Sequence, residues 1–142
     1  MEIKIKKLHP DAILPTYATE GAACFDLHAL HDAGPDGHGV TLVRTGLSFE
    51  VPPGHVMRIY SRSGHGFKHG VRLSNCVGVI DSDYRGEVMV SLTHDRFSQL
   101  NVFSGDRVAQ AVIEPIERVT FAEADELSET ARGAAGFGST GR

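Results

Sequence analysis

The sequence predicts an all-β fold, a sandwich or barrel of many short strands. Three observations carry that reading. Apolar and polar residues alternate with a period of two along most of the chain, turns rich in glycine and proline separate the runs, and helical periodicity is nearly absent. The 142 residues suit one domain, large enough to bury a core without disulfide or metal staples.

The elements follow in order. Glu2 to Leu8 alternates, with Ile3 and Ile5 on one face, and Cys24 to Ala29 is a second short run. Val40 to Val43 and Leu47 to Val51 come next, the latter strictly alternating, before Pro52-Pro53-Gly54 makes a turn. His55 to Tyr60, Val71 to Leu73, Val77 to Ile80 and Glu87 to Leu92 are strand-like, as are Leu100 to Phe103, Arg107 to Ile113 and Arg118 to Ala122. Ser63 to His69 is the one short helical turn, and its start would aim free N–H groups at an anion. Ala122 to Thr130 is acidic and reads as an exposed connector, its charge a solvated face. The chain thus divides into a β domain over 1–122 and a connector with a C-terminal tail over 123–142.

Composition excludes several classes of function. A net charge of −4 argues against sequence-independent nucleic-acid binding, which needs a basic surface. No apolar run approaches membrane-spanning length, and Met1 to Lys7 alternates isoleucine with charge where a signal peptide would be apolar. Cys24 and Cys76 lie in apolar, strand-like stretches without metal or redox spacing, so buried free thiols in a reducing cytoplasm are expected. His65 and His69 are four apart, but glycines limit the helix and no acid lies between them, so the metal-pair pattern is incomplete. Nucleophile elbows, phosphate-binding P-loops and dinucleotide fingerprints are all missing.

Four segments carry chemistry. Asn75 to Met89 reads as a β-hairpin with an acidic bend bounded by Gly78 and Gly86. Its mouth could recognise a flat heterocycle edge-on, while Tyr84 packs a sugar and Asp81 positions a water; an ordinary hairpin with a solvated turn has the same pattern. Arg132 to Arg142 is glycine-rich, with Phe137, Ser139, Thr140 and two arginines, a composition that could close over an anion or remain an inert chain end. In Ser61-Arg62-Ser63-Gly64, Arg62 and Ser63 could hold phosphate oxygens, or the stretch could be an exposed loop. Gly105 to Gln110 could place Gln110 on a ligand, with Asp106 and Arg107 decorating the turn.

Together these segments resemble the five ordered motifs of the homotrimeric dUTP pyrophosphatase (dUTPase) family. The motifs fall at Gly21–Ala29, Ser61–Gly64, Gly78–Val88, Gly105–Gln110 and Arg132–Gly141, so the resemblance covers essentially the whole chain. The third and fifth are the specific ones. Cys24 stands where the first usually has a small residue, Ser61 where the second usually has proline, and Ala135 replaces one tail glycine.

The resemblance implies a jelly-roll-like β fold with at most one short helix, a flexible glycine-rich tail, and a homotrimer with shared active sites. It implies hydrolysis of dUTP to dUMP and pyrophosphate, which removes dUTP and supplies dUMP for thymidylate synthesis. Asp81 would deprotonate the attacking water. Asn75, the backbone of Val79, Ile80 and Asp81, and Met89 would enclose uracil, with Tyr84 under the deoxyribose. Arg62, Ser63, Gly64 and Gln110 would grip phosphates with Arg132, Gly138, Ser139 and Thr140, and Phe137 would stack on the base. Mg²⁺ would be held by the triphosphate and water without direct protein ligands, Asp26 acting through bound water. Neither nucleic acid nor membrane is an expected partner. A dCTP deaminase on the related fold is the competing enzyme class, disfavoured by the Asp81/Tyr84 pair and the Phe137 tail; a non-catalytic trimeric module is a third reading.

Overall fold

β-Branched and aromatic residues at alternate positions fit a half-buried pleated surface, and glycine or proline turns end each run. The computed structural model describes residues 1–36, 38–94, 100–136 and 138. Its elements are β1 (Lys4–Lys7), β2 (Thr16–Tyr17), β3 (Phe25–His28), β4 (Val40–Arg44), β5 (Leu47–Glu50), β6 (His55–Tyr60), α1 (Ser63–His69), β7 (Val71–Leu73), β8 (Val77–Ile80), β9 (Met89–His94) and β10 (Arg107–Pro115). Among the described residues the strands form three antiparallel sheets, ordered β1-β5, β2-β3-β10-β6-β8 and β4-β9-β7.

The core lies between these sheets. Leu27, Val43, Leu47, Met57 and Ala109 are inaccessible to solvent, and Phe25 of β3 stacks on Phe49 of β5 with ring centroids 6.3 Å apart. Alternation decides which side chains go in. In β4, Thr41 and Val43 are buried while Leu42 and Arg44 face out. The β4–β5 connection turns at Gly46, where φ is +68° and a Cβ would lie 2.9 Å from the Ala12 Cβ, so both backbone and packing demand glycine.

Four expectations need correction. The segments before and after the acidic bend do not pair with one another: β8 pairs with β6, and β9 pairs with β4 and β7. The expected hairpin is instead a strand–turn–strand link between two sheets. Leu100 to Phe103 contributes, among the described residues, a bridge between Ala33 and Val102 in place of a strand. Arg118 to Ala122 forms no strand; the segment is exposed, with Phe121 at 95%. Its alternation is strand-like, but among the described residues no strand pairs with it. Cys76 is exposed and Cys24 only partly buried, both thiols being free. Cys76 sits in a turn rather than a strand, with φ of +65°. Thr16–Tyr17 is an added short strand whose two residues carry too little pattern to be read.

Candidate active site

Because β8 and β9 diverge into different sheets, a cleft opens between them. It is a cavity of about 230 Å³ lined by Leu42, Ile59, Leu73, Asn75, Gly78, Met89, Val90 and Ser91. Asn75 is set by the turn before β8, in which Val77 donates its N–H to the Asn75 carbonyl at 2.7 Å around the positive-φ residue Cys76. That i to i+2 bond with positive φ makes a γ-turn, an uncommon and strained arrangement. Gly78 must be small, since a Cβ there would lie 3.0 Å from the Ile59 Cβ on β6. Val79 points the other way and is 60% exposed, so it offers the cleft only its backbone.

The bend from Asp81 to Val88 is rigidly tied down. Tyr84 donates its N–H to the Asp81 carbonyl at 3.2 Å and its hydroxyl to the Glu87 carbonyl at 3.0 Å. Its ring lies over Gly86, where a Cβ would come within 2.9 Å of Cε2 and closer still to Cζ. Arg85 donates to the carbonyls of Ser82 and Tyr84 at 2.8 and 2.9 Å. The far end is anchored to the β4–β5 turn. Glu87 accepts from Arg44 (2.8 Å) and from the Gly46 N–H (2.8 Å), while Thr45 and Ser48 donate their hydroxyls to the carbonyls of Val88 and Arg85. Burial opposes the charge on Glu87, but the hydrogen bonds from Arg44 and Gly46 and the Arg44 charge outweigh it, holding its carboxyl below the ordinary range. Asp81 stays exposed at the start of this braced turn.

A second constellation lies farther across the same five-stranded sheet, on β3 and β10. Asp26 on β3 is buried, and its two oxygens accept from Arg62 Nε at 3.2 Å and Arg107 Nη1 at 3.3 Å. Arg62 also donates to the Arg107 carbonyl at 3.0 Å. Gln110 donates to the Ser61 carbonyl at 3.0 Å, and the Ser61 hydroxyl accepts from the Leu73 N–H at 2.9 Å. Arg62 stands as the N-cap of α1 without a side-chain cap, leaving Ser63 and Gly64 exposed, and Gly70 closes the helix at φ +68°. His28 nearby has a buried Nδ1 without a hydrogen-bond partner among the described residues, and burial pushes its pKa down against the pull of Asp26. Burial, then Asp26 and Glu114, push the Cys24 thiol up, so it stays protonated.

Register links the two constellations. Asp26 pairs with Gln110, Gln110 with Tyr60 and Tyr60 with Val77, forming one row across four strands. Three strand spacings put the ends of that row about 14 Å apart. Of the expected site residues, Asn75 and Met89 wall the cavity, Asp81 and Tyr84 occupy the adjoining turn, and Arg62 and Gln110 meet at the Asp26 cluster. Ile80 is partly buried against the core rather than lining the cavity. Arg132 is exposed in the tail, where the Ala135 N–H reaches its carbonyl at 3.2 Å, and Gly138 has φ of +93°. Phe137, Ser139 and Thr140 lie outside the described residues.

Sequence reasoning missed Arg107 as a partner of Asp26, and Arg44, Glu87, Thr45 and Ser48 as anchors of the turn. The i and i+81 spacing of Asp26 and Arg107 carries no local signal, since only the β3–β10 pairing brings them together.

A family model described as dUTPase matches residues 10–141. The deoxyuridine 5'-triphosphate nucleotidohydrolase of Nautilia profundicola is 46% identical over 142 residues, covering 100% of both chains. That of Helicobacter pylori strain J99 is 43% identical over 141 residues, covering 99% of this chain and 97% of the relative. Among solved structures, a Staphylococcus bacteriophage 80alpha dUTPase mutant with dUpNHpp superposes with a TM-score of 0.91 at 22% identity, covering 99% of each chain. A mutant dUTPase of S. aureus phage phi11, described with a structural Mg(II) ion, gives 0.80 at 18% identity, covering 89% of this chain and 98% of that one. At those identities the likeness is one of fold.

Proposed function

The chain belongs to the dUTPase family, and from that premise we infer that it hydrolyses dUTP to dUMP and pyrophosphate. The observation that carries the reading is the cleft between β8 and β9, walled by Asn75, Gly78 and Met89 and continued by the turn bearing Asp81 and Tyr84. The Asn75 amide and the free backbone edge of Val79 to Asp81 pair with the uracil edge. β8 is an edge strand, so its outward N–H and C=O groups are available for that purpose. Steric contact rejects a 5-methyl group, and cytosine presents the reversed donor and acceptor pattern, leaving buried polar groups unpaired. Tyr84, seated on Gly86, supports the deoxyribose and leaves no room for a 2′-hydroxyl.

Asp81 takes a proton from a water whose oxygen bonds to the α-phosphorus as the bond to the pyrophosphate oxygen breaks. Arg62, Ser63 and Gly64 grip phosphates. Gln110 supports them, since its amide already fixes the Ser61 carbonyl immediately before that turn. Residues 1–122 form the β domain, and 123–142 form the connector and a tail that closes the site through Arg132, Phe137, Gly138, Ser139 and Thr140. Alignment and charge neutralisation dominate phosphoryl chemistry, so the tail contributes to turnover as well as affinity.

The donor set fits Mg²⁺ carried on the substrate. Among the described residues no three His, Cys, Asp or Glu side chains converge on a metal position, and both Asp26 oxygens already accept from arginines. Asp26 would therefore reach the ion through bound water, as Mg²⁺ commonly retains its waters. When bound, the ion neutralises triphosphate charge.

The exposed segment after β10 supports assembly as a homotrimer. Val119, Phe121 and Leu127 are 66%, 95% and 90% exposed, and the strand-like alternation of 118–122 has no partner strand within the described residues of its own chain. A neighbouring copy would cover it, with sites shared between subunits. Free Cys24 and Cys76 fit a cytoplasmic location. Pyrophosphate release across the deoxynucleoside triphosphates, with and without Mg²⁺, tests the function. Selective, Mg²⁺-dependent release from dUTP is expected; equal turnover of dTTP, or none of dUTP, would overturn it.

A further inference from the structure

Strand β7 is an edge of its three-stranded sheet, so its outward N–H groups need partners from outside the ladder. Successive N–H groups point to opposite sides. That of Ser74 goes to the Ser91 carbonyl on β9 at 2.9 Å, and that of Leu73, the last residue of β7, goes the other way to the Ser61 hydroxyl at 2.9 Å. Leu73 is only 2% exposed. Ser61 directly follows Tyr60, the last residue of β6 in the five-stranded sheet, so one hydroxyl joins the two sheets. A second bond fixes the same residue, since Gln110 of β10 donates to its carbonyl at 3.0 Å. Proline, usual at this place in the family's second motif, has no hydroxyl to offer. On one side of the Ser61–Leu73 bond the chain runs straight into Arg62, Ser63 and Gly64. On the other it runs into Ser74, whose hydroxyl donates to that of Ser91 at 2.6 Å, and then Asn75 at the cavity wall. The Cys76 N–H returns to the Leu73 carbonyl at 3.3 Å, so Leu73 is the base of the turn that carries Asn75.

We propose that Ser61 is a positioning residue that couples phosphate grip to base recognition, its hydroxyl locking the Asn75 turn to the residue that leads into Arg62. The proposal rests on the dUTPase reading of this site. Without that acceptor the Leu73 N–H is left unpaired at a buried residue, and the turn must shift to find another partner. Asn75 and Arg62 then hold their binding geometry for only part of the time, and apparent affinity falls in proportion to that fraction. In a symmetric assembly every site contains both turns, so the coupling is read whether one chain or two build a site.

Three proteins test this: the parent, Ser61→Ala, which removes the acceptor, and Ser61→Thr, which keeps it. KM and kcat are measured for dUTP and dCTP, with unfolding midpoints alongside, and amide hydrogen exchange at Leu73 is followed in the parent with and without dUpNHpp. Losing the bond predicts KM for dUTP about ten-fold higher in Ser61→Ala, with kcat within about three-fold. The preference for dUTP over dCTP should fall about five-fold, although position 61 adjoins the phosphate turn rather than the base. Ser61→Thr should restore both to within about two-fold of the parent. In the parent, dUpNHpp should slow Leu73 exchange about ten-fold, because binding favours the locked arrangement. That measurement needs no variant, so it decides even if Ser61→Ala does not fold. A Ser61→Ala protein that loses only stability, a Ser61→Thr protein that restores nothing, or Leu73 exchange unmoved by dUpNHpp would each overturn the proposal. A parent that binds dUpNHpp without hydrolysing dUTP would instead sink the proposed function, while Leu73 exchange still decides the role of Ser61.

Discussion

Gly86→Ala isolates the support beneath Tyr84 and the proposed sugar pocket. Gly86 does not lie among the positive-φ glycines, so alanine is free to adopt its backbone and the effect is steric. The added Cβ would sit 2.9 Å from Tyr84 Cε2 and 2.5 Å from Cζ, whereas carbon atoms normally rest at about 3.5–4.0 Å. The ring must therefore retreat by about 1 Å. That motion carries the hydroxyl from 3.0 Å to about 4 Å from the Glu87 carbonyl, outside hydrogen-bonding range. Losing the bond costs about 1 kcal/mol, and the ring's partial exposure limits further loss, so denaturant unfolding should report about 1–2 kcal/mol of destabilisation. The kinetic effect should be larger, because a displacement of about 1 Å near a reacting centre can cost a factor of about 100. Pyrophosphate release from dUTP and UTP measures both kcat/KM and sugar selectivity. We expect kcat/KM for dUTP to fall about 10- to 100-fold and the dUTP/UTP ratio to drop. A variant with parental selectivity and parental stability would refute the placement of Tyr84.

Asp81→Asn should still bind dUpNHpp but lose a factor of about 100 to 10,000 in turnover, the usual weight of a general base; near-normal kcat would remove Asp81 from that role. Ending the chain at Ala131 should leave oligomer size unchanged in light scattering, because residues 132–136 are exposed, while crippling hydrolysis; an unchanged kcat/KM would exclude the tail from catalysis. Glu87→Gln tests the anchor of the turn. The folded-state pKa of Glu87 lies below its unfolded value, so its charge stabilises the fold above the ordinary carboxylate range, and that contribution disappears as pH falls through the folded pKa. The parent should melt higher than Glu87→Gln at neutral pH, with the gap closing under acid; a gap independent of pH would contradict the ion pair.

Much of the proposed site was legible because its residues are locally encoded. Asp81, Tyr84 and Gly86 lie within six residues, and Arg62, Ser63 and Gly64 are contiguous, so their order survives without knowledge of the fold. Ser61 shows where local reading ends. In sequence it is a departure from proline; in the fold its hydroxyl accepts from Leu73 and its carbonyl from Gln110. Gln110 shows the same limit, since the expected phosphate ligand donates to the Ser61 carbonyl immediately before Arg62.

By itself the sequence determined the all-β class, the run of short strands, the span of α1 from Ser63 to His69 and the order of the chemical segments. Period-two alternation and glycine turns act over a few residues, so they can be read without a partner. Only the tertiary structure decided that β8 and β9 join different sheets, which converts an expected hairpin into a cleft. It alone placed Arg62 and Arg107 on either side of Asp26 and left 118–122 without a partner strand among the described residues. Alternation specifies which face of a strand is buried, whereas the choice of neighbour depends on packing between segments distant along the chain.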